Sequence, residues 1–172
     1  MIPRQLFAPL PILFLLAADA AWAVDCETDE STARFDVNND GTVTEIQTGL
    51  TWMRCSIGQT WDGRTCKGKP TALNWEEAIN YVADLNKNGD YASHSDWRLP
   101  KLNELATISE LRCGPPRINL AIFPHTRAEV YWTDNTTRGN EQHAYTFSFG
   151  NEGVATGTKS ATHLVRLVRG RD

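Results

Sequence analysis

Two short stretches combine an aromatic ring with planar polar side chains. In the first, Trp61 is flanked by Thr60, Asp62, Gly63 and Arg64, inside a segment bracketed by Cys55 and Cys66. In the second, Trp132-Thr133-Asp134-Asn135 leads through Thr136 and Thr137 to Arg138. A ring beside carboxylate, amide and guanidinium groups suits stacking on a sugar face while hydrogen-bonding its hydroxyls. A rigid loop lowers the ordering cost of such binding. Trp61, Asp62, Arg64, Trp132, Asp134, Asn135 and Arg138 are therefore the expected ligand-binding residues. The alternative for Trp61 is a ring folded over its own loop, shielding the disulfide.

Other chemistries find less support. Asp36, Asn38, Asp40 and Gly41 match the start of a calcium loop, D-x-[DN]-x-[DN]-G. The twelfth position is Gln47 instead of a bidentate Glu, and no helices flank the stretch, so a hairpin turn is expected. No C-x₂-C or H-x₃₋₅-H spacing occurs, and neither a metal nor a cofactor is expected. His94, His125, His143 and His163 are scattered and fit no nucleophile-elbow or Cys–His signature. Arg98 and Glu104 could clamp a substrate, but both sit among residues that must pack, and a fold-internal pair is the preferred reading. No catalytic residue is assigned, and binding is expected in place of turnover.

The compartment follows from the first residues and the cysteines. Arg4, the apolar run Leu10–Ala18 and Ala21-Trp22-Ala23 read as a signal peptide over residues 1–23, too short to span a bilayer. Residues 24–172 then form one domain, periplasmic or secreted, with no transmembrane segment. All four cysteines lie in that part. Export and an even count favour two disulfides, with three connectivities open. The polar, Gly-containing loop between Cys55 and Cys66 pairs those two, leaving Cys26 with Cys113. The net charge is −4, and no basic run is long enough for a phosphate track, so nucleic acid is not expected. Lys159, Arg166, Arg169 and Arg171 make the C-terminal end locally basic.

The elements that must position these residues are organised around Asp96-Trp97-Arg98-Leu99-Pro100. Proline suits the first turn of a helix, and Leu102, Leu105, Ala106, Ile108 and Leu111 then recur at helical spacing. Upstream, Asn74 and Glu77 form a capping-box pair. Trp75, Ala78, Ile79, Val82 and Leu85 give an amphipathic helix that ends at Asn88-Gly89. Strands are expected from Phe35, over Thr42–Thr44, Leu50–Arg54, Val130–Trp132 and Tyr145–Phe149, and finally over His163–Arg169. The continuous aliphatic character of the last suggests an interior position. A long connection runs from Pro115-Pro116 to about Ala128. Strands, two helices and further strands give a single α+β domain.

The D-W-R-L-P segment with its following Glu104-Leu105 resembles the bacterial Lcl C-terminal domain family. The likeness takes in Asn39–Thr44, Thr48–Trp52, Thr60–Gly63 between the two cysteines, Tyr131-Trp132-Thr133 and Val165–Arg169. It departs at Lys101, where a Thr commonly follows the proline and could cap the helix, so helix initiation here needs another partner. The resemblance implies a disulfide-stapled C-type-lectin-like or formylglycine-generating-enzyme-like fold, with antiparallel sheets flanked by two helices. It also implies adhesion to a glycan or another cell-surface macromolecule. An envelope structural or assembly protein recognising a protein partner is the alternative. An enzyme of the formylglycine-generating type would need reactive cysteines toward the C-terminus, where this chain has none after Cys113. The Trp132–Asn135 stretch resembles the W-N-D ligand segment of sugar-binding C-type lectins, with a Thr inserted and no E-P-N or Q-P-D partner. A polar, metal-free binding loop is the expectation there.

Overall fold

The computed structural model describes residues 29–89 and 91–170. The signal-peptide reading, Cys26 and Arg171 lie outside them. In chain order the elements are α1 (Asp29–Thr32), β1 (Phe35–Val37), β2 (Thr42–Glu45), β3 (Thr51–Met53), β4 (Thr60–Trp61) and β5 (Cys66–Lys67). Then come α2 (Trp75–Asn88), α3 (Leu102–Thr107), β6 (Val130–Thr137), β7 (Asn140–Ser148), β8 (Val154–Thr158) and β9 (Val168–Arg169). One sheet has the order β1-β2-β3-β9, a second is the β4–β5 hairpin, and a third has the order β6-β7-β8. All named pairings are antiparallel. The domain is mixed α and β, as expected.

The seam between the two larger sheets is the chain's last stretch. Met53 N–H donates to Leu167 O, Ile57 N–H to Val165 O, and Trp132 N–H to Leu164 O. Arg98 and Val168 exchange both backbone bonds, as do Leu73 and His163. Leu164 and Val168 pack with Val43, Trp52, Leu105 and Phe147, whereas Val165 and Leu167 join Met53, Ala78, Trp97 and Trp132. The apolar run feeds both core clusters and is buried. Only Val168–Arg169 of the expected last strand form one, however, and β9 stands at the end of its sheet's order. Isolated bridges join His163, Leu164 and Val168 to Leu73, Tyr131 and Arg98.

α2 forms where its local signals put it. Asn74 Oδ1 accepts from Glu77 N–H at 2.9 Å, and Glu77 Oε2 accepts from Asn74 N–H at 2.8 Å. Gly89 closes the helix at φ 63°, a left-handed conformation that glycine adopts without a Cβ clash. The Asp36–Gly41 stretch is the expected hairpin turn. Asp40 Oδ1 takes the N–H and hydroxyl of Thr42, at 2.9 and 2.7 Å.

Two expectations are corrected here, and one strand was not expected. α3 stops at Thr107, and Leu111, expected on its buried stripe, is 71% exposed. The Thr107 hydroxyl donates to Glu104 O and to the buried Glu45 carboxylate, both at 2.8 Å, and Ser109 Oγ donates back to Ala106 O. Such side-chain bonds compete with further helical turns. Residues 132–137, expected as a loop, continue β6 into a hairpin with β7, with register shifts between Trp132 and Thr137. β8 lacks any strand expectation, because Val-Ala-Thr-Gly-Thr carries little apolar alternation.

Candidate functional site

The seven candidate residues fall into two places. Trp61, Asp62 and Arg64 belong to the β4–β5 hairpin, which the Cys55–Cys66 disulfide closes (Cα–Cα 5.5 Å). Asp62 Oδ1 accepts from the N–H groups of Arg64 and Thr65 at 2.9 and 2.8 Å, building the turn. Those two backbone bonds hold its carboxyl below the ordinary carboxylate range. Trp61 is half-buried, with the Arg54 guanidinium 4.3 Å from its ring centroid. Arg54 is itself held by the carbonyls of Ile122 and Ala121, both at 2.8 Å. A Cβ at Gly41 would meet Trp61 Cγ at 2.7 Å. One face of the ring is therefore a packing face, while Arg64 stays exposed. Cys113 is also disulfide-bonded, and its expected partner Cys26 lies outside the described residues.

The second place is the cleft between the start of α3 and the β6–β7 hairpin. Asn103, Asn135, Thr136, Thr137, Arg138 and Tyr145 line it, with a volume of about 470 Å³. The β hairpin carries Asn135 to Arg138 over the first turn of α3. Asn135 Oδ1 accepts from Leu102 N–H at 2.7 Å. Glu104 Oε2 accepts from Lys101 N–H at 2.7 Å. These are the substitute helix caps that the lysine at position 101 made necessary. Asp134 N–H donates to Pro100 O at 2.8 Å, fixing the hairpin to the D-W-R-L-P segment while its carboxylate faces solvent. Arg138 is exposed on the rim, without a side-chain partner among the described residues.

Trp132 does not belong to a binding surface. It is fully buried, its indole N–H donates to Leu73 O at 2.8 Å, and its ring lies edge-on to His163 at 4.5 Å. β6 is buried on both faces here, with Tyr131 in one core cluster and Trp132 in the other. Residues missed from sequence are Asn103 and Tyr145, the latter opposite Thr156 on the neighbouring strand. Tyr145 alternates with Phe147 on one face of β7, and that spacing is the signal that sets it beside the cleft.

Two charged groups prove structural. Arg98 meets Glu104 in a two-pronged ion pair, Nη1–Oε2 and Nη2–Oε1 both at 2.7 Å. That is the fold-internal pair preferred from sequence. Arg166, counted in the basic C-terminal end, is fully buried. It donates to Met53 O at 2.8 Å and Thr126 Oγ1 at 2.7 Å, and its guanidinium lies 4.9 Å from the Phe123 ring centroid. Burial lowers its pKa. Arg169 is paired with Asp96 at 2.7 Å, and Lys159 sits 4.1 Å from the Trp75 ring centroid. Among the described residues, Lys159, Arg166 and Arg169 thus do not form an open anionic-ligand patch.

A further cleft of about 300 Å³ lies at the other end of α3, where Ala106, Leu111, Arg117, Phe147 and Val154 meet. No helix among the described residues is long and apolar enough to cross a membrane. No curated protein matches the chain. The family model described as the Lcl C-terminal domain matches residues 41–169, a span that includes the D-W-R-L-P segment, both capped helices and the cleft, and the chain belongs to that family.

Proposed function

We propose that this is an exported, non-catalytic binding module of C-type-lectin-like architecture, and that the cleft between α3 and the β6–β7 hairpin takes a glycan of a cell-surface macromolecule. The observation that carries the reading is the cleft's side-chain set: amides, hydroxyls and one guanidinium around the Tyr145 ring, with Leu102 as an apolar neighbour. Amides and hydroxyls both donate and accept, matching sugar hydroxyls, and a phenol ring offers a flat apolar face. The volume falls within the range of about 300–1,000 Å³ common to small-ligand sites. The lining holds no carboxylate, so binding needs no calcium and no proton transfer. Export is supported by the leader-like residues 1–23 and by the disulfide chemistry. An envelope assembly role with a protein partner is the second reading, favoured by the exposed Leu111 and Val154 beside the 300 Å³ cleft.

A glycan array on the purified chain tests the first reading. Tyr145→Ala and Arg138→Ala should each weaken retention of the bound glycan by about tenfold or more, about 1.4 kcal/mol, with melting unchanged. Trp61→Ala should instead lower melting, because its ring packs against Arg54. Retention should survive a chelator. Absence of any bound glycan, or full retention in both cleft variants, would reject the proposal.

A further inference from the structure

The third sheet ends at β8, which has β7 on one side and no strand on the other among the described residues. Its register pairs Val154 with Phe147, Thr156 with Tyr145 and Thr158 with His143, without a shift. At the ends of this ladder Ser148 N–H donates to Gly153 O and Lys159 N–H donates to Gln142 O, both at 2.8 Å. In an antiparallel ladder hydrogen-bonded and non-hydrogen-bonded pairs alternate. Residues 153, 155, 157 and 159 therefore turn their backbone groups to β7. Val154, Thr156 and Thr158 turn theirs outward. Thr158 O accepts from Ala161 N–H at 2.8 Å, and the other outward groups have no partner among the described residues.

Sheet edges are ordinarily blunted by charge, proline, a bulge or a covering segment. β8 has no charge, proline or bulge within its span, and only its Thr158 end is covered, by the turn to Ala161. Its sequence is Val-Ala-Thr-Gly-Thr, its ladder is regular, and Val154, Ala155, Thr156 and Thr158 are exposed. The three residues with outward backbone groups are all β-branched and share one sheet face, which suits cross-strand packing.

We infer that this edge pairs with a second copy of itself, antiparallel about Thr156, joining two three-stranded sheets into one continuous sheet. The edge is self-complementary in that register, as an isologous contact requires. Thr156 meets Thr156 of the other copy, and Val154 meets Thr158. The Thr156 pair exchanges both of its backbone bonds and each Thr158 N–H donates to Val154 O of the other copy, while Thr158 O is already taken by Ala161 N–H of its own chain. Glu152 stands just before the strand and Lys159 just after it. Antiparallel pairing sets unlike charges end to end, whereas parallel pairing would set like against like. A contact of one short strand per copy buries little area, so the dimer is a weak one. The two-fold axis of such a pair is perpendicular to the sheet, so both copies present the same face to the same side. If the cleft beside Tyr145 binds glycan as proposed above, two clefts then face one surface and gain avidity.

Sedimentation equilibrium of the full, non-reduced chain tests the inference. The parent should show a concentration-dependent rise toward twice the chain mass. Thr156→Lys and Thr156→Glu each place like charges face to face at the axis and should lower the association constant by about tenfold or more. Their equimolar mixture should restore pairing. Thr156 is exposed, so melting should stay parental, and Val154→Lys provides an independent second variant. A parent of single-chain mass at every concentration up to millimolar would overturn the proposal. So would undiminished association of the Thr156 variants, or failure of the mixture to re-associate.

Discussion

His163 shows how a single residue ties pH to the core. Its ring packs edge-on against buried Trp132, and a Cβ at Gly157 would come within 2.8 Å of its Nε2. Burial lowers its pKa below the ordinary value. Between the lowered folded value and about 6.5 the unfolded chain binds the extra proton, so stability rises with pH across that window. Acidification through about 6.5 should therefore lower the melting temperature, and the loss should level off once the folded ring also protonates. Asp62 and Asp96, depressed by their hydrogen bonds, add a separate loss at lower pH, near and below about 4. Melting curves between pH 7.5 and 5 check the first effect. His163→Gln should flatten that interval and leave the acid limb in place. An equal slope in parent and variant would show that another group titrates there.

At the scale of elements, α2 was legible and α3 only half so. Every signal that makes α2, from Asn74 and Glu77 to Gly89, lies within the helix or beside it. Pro100 marked the approach to α3, but it stands before the Lys101 N-cap, outside the first turn where it was expected. The helix's length could not be read at all. Thr107, the last residue of α3, is held by Glu45, 62 residues away, and nothing local foretells that. The missing cap was legible as a problem, since Lys101 has no oxygen to offer. Its solution, Asn135, comes from 33 residues downstream. Nothing in the residues beside Asn135 announces this capping role. β8 escaped because Gly157 and two exposed threonines carry no core pattern. The cap gives a clean prediction. Asn135→Ala should cost about 1 kcal/mol, as lost N-caps do, in urea unfolding with an unchanged slope. Asn135→Asp keeps an acceptor and adds a charge suited to a helix N-terminus, so it should retain most of the stability. Equal losses in the two variants would place the effect elsewhere than the cap.

For the whole molecule, the decisive feature is that the chain's last stretch closes both sheets, and Arg166 fixes it there. Residues 164–168 are all buried, so a guanidinium among them must find acceptors or the segment could not dock. The acceptors come from separate parts of the chain. Met53 supplies a carbonyl, Ser56 and Thr126 supply hydroxyls, and Phe123 supplies a ring face. Ser56 in turn contacts the Tyr131 hydroxyl at 3.2 Å. One side chain thus ties β3, the 119–126 segment and β6 to the closing segment. Arg166→Ala would leave those groups without donors inside the core and open a cavity. Each buried unsatisfied group costs about 1–3 kcal/mol, so a loss of about 3–5 kcal/mol is expected, a large share of a domain's total stability. Arg166→Lys should recover little, because an ammonium cannot span the carbonyl and hydroxyl positions that the planar fork reaches together. Urea midpoints of both variants against the parent decide it. A near-parental midpoint for Arg166→Ala would mean that the apolar seam alone holds the closing segment in place.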